Sequence, residues 1–396
     1  MLITRPPMGW NTWNTFGPNI NEQLIIESVD ILVESGLKDA GYEYVVIDDI
    51  WSLKERDKNG KLVPDPEKFP HGMKYVSDYV HSKGLKFGMY SCAGYLTCAG
   101  YPGSYDHEWV DAQTFAEWGV DFLKYDFCFH SSVAAADILY KRMGFALANC
   151  GREILFSACS WGVCDTRTWI AETGASMWRS TGDIHDSWAS LKDLSLRRIK
   201  GLEFGGTGCY NDMDMLIVGM NGVGNVGRGG CTEEEYFLHF ALWSLCASPL
   251  MIGCDIRNMS ESAKAILTNK ALIEINQDEK GSAPFLVNNI GRTKTENRGQ
   301  FDCFWKNCPE DYPIVARYLE NGDIAVGFFN FSDSTIPDER RVAMYDLLGI
   351  PATSGVTLEF TDVKDGRVYN SSNGVFIPDH LAPHSCRLFR AKVIKN

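Results

Sequence analysis

The chain has 396 residues, longer than the usual single domain, so a large domain followed by a smaller one is expected. A hydrophobic share of 45% with 22% charged residues excludes a disordered or fibrous chain. Its 51 acidic and 38 basic side chains leave a net charge of −13, which argues against nucleic acid or an anionic membrane as partner.

The first eleven residues carry no basic stretch followed by an apolar run, so no signal peptide is expected. No run of 18 apolar residues predicts a membrane span. Thirteen Cys is an odd number, so at least one thiol stays free or pairs outside the chain. A cytoplasmic location is the expectation, although a mature secreted form would look the same.

In chain order, the candidate strands of the first two-thirds are Met8–Trp13, Tyr42–Asp49, Leu85–Ser91, Phe122–Phe127, Ile154–Ser160, Ser176–Thr181, Cys209–Leu216 and Pro249–Asp255. Several are nearly continuous apolar runs, as in parallel strands buried on both faces. Helical patterns lie between them: Leu24, Ile25, Val29, Leu32 and Leu37 recur at helical spacing, and Thr232 with Glu235 forms a capping box before Phe237–Leu245. Eight strands with intervening helices predict a (β/α)₈ TIM barrel over residues 1–290. Beyond it, short β-like runs at Ile314–Leu319, Ile324–Phe331, Val356–Phe360, Gly374–Ile377 and Cys386–Ala391, separated by turn signals, predict a C-terminal antiparallel β-sandwich over 291–396.

Catalytic groups in such a barrel come from the C-terminal ends of its strands. Four carboxylate clusters fall there: Asp48-Asp49, Asp126 after Lys124, Asp183 beyond Arg179, and Asp212 with Asp214. One alone reads as a helix cap; four at one rim need another reason, because a carboxylate at the end of a buried strand is costly unless partnered. Two carboxyls facing one sugar are what glycoside hydrolysis uses. Metal chemistry fits less well, and neither metal nor cofactor is expected. His380 and His384 are separated by Pro383, and Cys92, Cys98 and Cys128 lack paired zinc spacing. Gly222-Val-Gly-Asn-Val-Gly227 matches a dinucleotide fingerprint by letters, but lies late in the barrel.

These residues carry a resemblance. Pro7-Met-Gly-Trp-Asn-Thr-Trp13, Ile47-Asp-Asp-Ile-Trp51, Leu123-Lys-Tyr-Asp-Phe-Cys128, Trp178-Arg-Ser-Thr-Gly-Asp183 and Asn211-Asp-Met-Asp-Met215 resemble the motifs of glycoside hydrolase family 27. The likeness continues through Ser248-Pro-Leu-Met251 and Ile275-Asn-Gln-Asp278, so it spans the barrel. The family holds α-galactosidases and α-N-acetylgalactosaminidases. The resemblance implies that Asp126, held ionised by Lys124, is the nucleophile and Asp183 the acid/base of a retaining reaction. It implies that Asp48 and Asp49 hold the sugar's O4 and O6, Trp13 forms an aromatic floor, and Tyr90, Lys124 and Arg179 line the pocket. Cys98 and Cys128 match two half-cystines beside the site.

Departures from the family pattern bear on the substrate. Ser160 stands where α-galactosidases usually carry Glu, and Val163 three positions on is small. Both resemble the version that accepts a 2-acetamido group, which tilts the expectation toward an α-N-acetylgalactosaminidase, with α-galactosidase as the alternative. Cys164 replaces a Tyr, Ile50 a disulfide Cys, and Phe127 a small or polar residue. β-L-Arabinopyranosidase activity fits less well, since a pentose has little use for an acid near O6, and a non-catalytic sugar-binding protein would not need both Asp126 and Asp183. The expected partner is an oligosaccharide or glycoconjugate ending in an α-linked galactose-type sugar.

Overall fold

The computed structural model describes residues 3–287, 311–338, 341–351 and 355–394. Eight strands form one parallel sheet: β1 (Met8–Asn11), β2 (Tyr44–Val46), β3 (Lys86–Cys92), β4 (Phe122–Asp126), β5 (Leu155–Ala158), β6 (Met177–Arg179), β7 (Tyr210–Asp212) and β8 (Leu250–Ile252). From β1 to β7 each pairs with the next in sequence, and β8 pairs with β1. Closure comes from Leu216, just past β7: its N–H donates to Met251 O (2.7 Å) and its carbonyl accepts from Gly253 N–H (2.9 Å). The eight strands are those expected, all shorter except β3, which keeps its length and shifts by one residue.

The shortening has local causes. After Val46, Ile47 makes one more ladder bond to Gly88, and then side chains take over: Thr12 Oγ1 accepts from Asp48 N–H and Asp48 Oδ1 from Asp49 N–H. In β7 the ladder stops because Asp214 turns into a left-handed conformation (φ 84°), rare for a residue with a Cβ.

Two apolar layers follow from the two-residue period. Tyr44, Val46, Phe122, Leu155, Met177 and Tyr210 fill the barrel interior. Val45, Leu123, Tyr125, Phe156 and Trp178 point the other way, into the main core with the surrounding helices. Those helices are α1 (Glu22–Glu34), α2 (Gly72–Ser82), α3 (Glu108–Trp118), α4 (Ala136–Ala148), α5 (Trp188–Ile199) and α6 (Glu233–Leu245). Asn21 caps α1 and the Thr232–Glu235 capping box opens α6. The regular alternation fails between β5 and β6, where two short 3₁₀ turns stand in place of a helix. Trp161, Cys164 and Asp165 there all have positive φ, incompatible with a continuous α-helix.

The C-terminal part is an uneven sandwich. A six-stranded antiparallel sheet joins β9 (Phe285–Leu286), β10 (Ile314–Tyr318), β11 (Ile324–Asn330), β12 (Thr357–Asp362), β13 (Val368–Ser371) and β14 (Ser385–Ile394). A two-stranded ribbon, Ala343–Met344 with Val375–Phe376, covers it, with Phe376 stacked on Phe360 at 3.8 Å. Because β9 pairs with β10, this sheet begins before the expected boundary at residue 290. Helix α6 lies between barrel and sheet; every residue from Glu235 to Leu245 is buried, which explains its lack of a polar stripe. No helix among the described residues is long and apolar enough to cross a membrane.

Candidate active site

The period that buries Phe122 in the barrel also puts Lys124 and Asp126 on the inward face, nearer the open end. The same step carries β2 from Tyr44 and Val46 to Asp48, β6 from Met177 to Arg179, and β7 from Tyr210 to Asp212. The apolar plug thus gives way to a ring of charge at the C-terminal rim. Trp13, Asp48, Asp49, Tyr90, Cys98, Lys124, Asp126, Arg179 and Asp183 line one cavity of about 220 Å³ there.

Asp126, 6% exposed, accepts from Tyr90 Oη (3.0 Å) and from the Phe127 N–H (3.3 Å). Burial pushes its carboxyl up to about 6, with the charges of Asp183 and Asp48 adding to the effect and Lys124 opposing it. The expectation that Lys124 holds Asp126 ionised is not met in the free protein, because burial outweighs the pull of Lys124. Lys124 Nζ bonds to Asp48 Oδ2 (2.8 Å), which also accepts from Asn11 Nδ2 (2.8 Å), so its pull on Asp126 acts through space. Burial lowers the proton affinity of Lys124, but the charge of Asp48 more than restores it, and Lys124 stays a cation.

Asp183 sits in the opposite surroundings, its side chain 64% exposed. What burial it has raises its pKa, but Arg179 and Lys124 outweigh that and hold it below the usual carboxylate range. Arg179, nearly inaccessible, bridges two acids: Nη2 reaches Asp183 Oδ1 (2.9 Å) and Nη1 reaches Asp214 Oδ1 (2.8 Å). Asp214 Oδ2 in turn accepts from Ile184 N–H (2.7 Å), tying down the residue after Asp183. Asp49, raised by burial, accepts from the Ala99 N–H (3.0 Å). Ala99 follows Cys98, which is disulfide-bonded to Cys128 and lies 3.5 Å from Asp126 Oδ2.

Two expected residues are elsewhere. Ser160 is fully buried with its hydroxyl 2.6 Å from Thr166 Oγ1, and Val163 is exposed on the adjoining loop. Neither lines the cavity, because the 3₁₀ turn brings Thr166 back over Ser160. Conversely, Asn14, Ile184, His185, Met215, Asn225, Val226 and Arg228 line it without having been singled out for it. The one available signal was the glycine-rich run 222–230, whose density of glycines marks a loop folded tightly on itself.

A closed parallel barrel with two carboxyls of opposed proton affinity at its C-terminal mouth is the arrangement of a glycoside hydrolase. The family model described as alpha galactosidase A matches residues 5–278, and the chain belongs to that family, glycoside hydrolase family 27. Alpha-galactosidase 3 of Arabidopsis thaliana is 45% identical over 391 residues, 98% of this chain and 82% of that protein. Among solved structures, alpha-galactosidase I from Mortierella vinacea superposes with a TM-score of 0.85 at 32% identity, covering 98% of this chain and 97% of that one. The alpha-galactosidase of Saccharomyces cerevisiae solved with raffinose gives 0.82 at 28% identity, covering 99% and 98%.

Proposed function

We propose that the protein is a retaining, exo-acting α-galactosidase with Asp126 as nucleophile and Asp183 as acid/base. The observation that supports the reading is the shared cavity, lined by a buried carboxylate, Asp126, and an exposed one, Asp183, together with Asp48, Asp49 and Lys124. At about 220 Å³ it is smaller than the roughly 300–1,000 Å³ of sites for drug-sized ligands, which suits one terminal sugar ring.

Asp126 attacks the anomeric carbon while Asp183 protonates the departing oxygen, giving a glycosyl ester on Asp126. Water, deprotonated by Asp183, then opens the ester and restores the original anomer. In the free protein the proton of the pair favours Asp126, since burial penalises its charge and Arg179 stabilises that of Asp183. A bound substrate covers Asp183 and strips its water, which raises its proton affinity and moves the proton to where the first step needs it. Once Asp126 is esterified its charge is gone, so Asp183, which has given its proton to the departing oxygen, stays ionised and acts as base.

The small Ser160 favours a second reading, an α-N-acetylgalactosaminidase. Against it, the Ser160 hydroxyl is occupied by Thr166 and remote from the cavity lining, and the named relatives are α-galactosidases. Measured side by side, kcat/KM for nitrophenyl α-galactoside should exceed that for the α-N-acetylgalactosaminide by at least about tenfold, the effect of one clash or unpaired polar group. The opposite order would replace the first reading by the second.

A further inference from the structure

The glycine-rich run 222–230 has no role in the chemistry described so far, yet it forms one wall of the cavity. Asp186–Ser187 pairs with Gly227–Gly230, and Asp186 N–H donates to Val226 O (3.0 Å), so the run is stitched to the loop that carries Asp183. Its glycines permit this path: a Cβ on Gly224 would lie 2.8 Å from Thr15 Cα, and one on Gly227 would lie 2.3 Å from Gly222 O. The loop therefore comes to the mouth beside the acid/base, presenting Asn225 and Arg228 there. Arg228 is exposed. Its Nη1 donates to Gly227 O (2.7 Å) and lies 3.5 Å from Asn225 O, while Nε and Nη2 make no hydrogen bond or ion pair among the described residues. The backbone contacts engage Nη1 and leave Nε and Nη2 uncommitted on an exposed side chain that lines the cavity.

In the proposed reaction the leaving group lies against Asp183, since that residue protonates its oxygen. Resting on that reading, we propose that loop 222–230 is the leaving-group subsite. Arg228, with Asn225 and His185 beside it, binds the hydroxyls of a sugar leaving group, so the preferred substrates are galactosides of other sugars rather than of apolar aglycones. Arg228 is a specificity residue. It takes no part in bond breaking, and its contribution depends on the hydroxyls the leaving group offers.

The test compares raffinose with nitrophenyl α-galactoside on the intact protein, wild type against Arg228→Ala and Arg228→Lys. Losing one charge-assisted hydrogen bond should lower kcat/KM for raffinose about tenfold, mainly through KM, and that for the nitrophenyl substrate less than about twofold. Lysine should recover part of the raffinose activity, since it keeps the charge but not the fork. An equal loss on both substrates, or no loss on either, overturns the subsite. A wild type that releases no galactose from nitrophenyl α-galactoside overturns instead the reading on which the subsite rests.

Discussion

Burial of Asp126 at the end of β4 and the ion pair of Asp183 with Arg179 leave a single proton between two carboxyls over a defined pH range. The upper edge of that range is the titration at about 6 that burial imposes on Asp126. Above it the pair is fully ionised and no proton remains for the leaving group. The sign follows: kcat/KM for raffinose should fall as pH rises through about 6, and less steeply for a nitrophenyl galactoside, whose leaving group needs little protonation. Profiles that instead climb through pH 6 to a plateau would contradict the shared proton. These two acids were legible in the sequence because Asp126 ends a buried strand, where an unpartnered charge is costly, and Asp183 stands four residues past Arg179 at the end of another. For Ser160 only the strand-end position was readable; the return of Thr166 over it depends on backbone turns that no local pattern announces.

At the scale of elements, the barrel strands were readable from their apolar runs, while their ends were not, since side chains such as Thr12 and Asp48 replace the ladder partners. The loop contribution to the site was not readable either. His185, Asn225 and Arg228 reach the cavity because two loops distant in sequence are pinned together, and the pin is Asp186. Fully buried, it accepts from Gly222 N–H (2.6 Å) and from Tyr236 Oη (2.9 Å), joining the loop that carries Asp183, the glycine-rich loop and helix α6. In Asp186→Asn one acceptor becomes a donor facing another donor, which costs roughly 1–3 kcal/mol. Calorimetry should show Tm lower by roughly 2–4 °C. Because the whole wall loosens, kcat/KM should drop on raffinose and nitrophenyl α-galactoside alike, unlike the selective loss expected for Arg228→Ala. A variant with unchanged Tm and activity would show that the loops hold together without this anchor.

Across the whole molecule, the side-chain period of the barrel strands sets both the apolar plug and the ring of charge at the rim above it. The interior residues close the bottom of the barrel, so substrate enters at the rim, and helix α6 seats the C-terminal sheet on the outside, away from the catalytic cavity. The unevenness of the sandwich escaped the sequence because strands as short as Ala343–Met344 and Phe285–Leu286 lack enough residues to show a period. A cavity sized for one ring, closed below and carrying two carboxyls, suits release of a single terminal sugar with retained configuration. Proton NMR of the intact protein acting on nitrophenyl α-galactoside tests it most directly. With retention, α-galactose appears first and only later equilibrates with the β anomer; β-galactose as the first product, or no galactose at all, would overturn the mechanism.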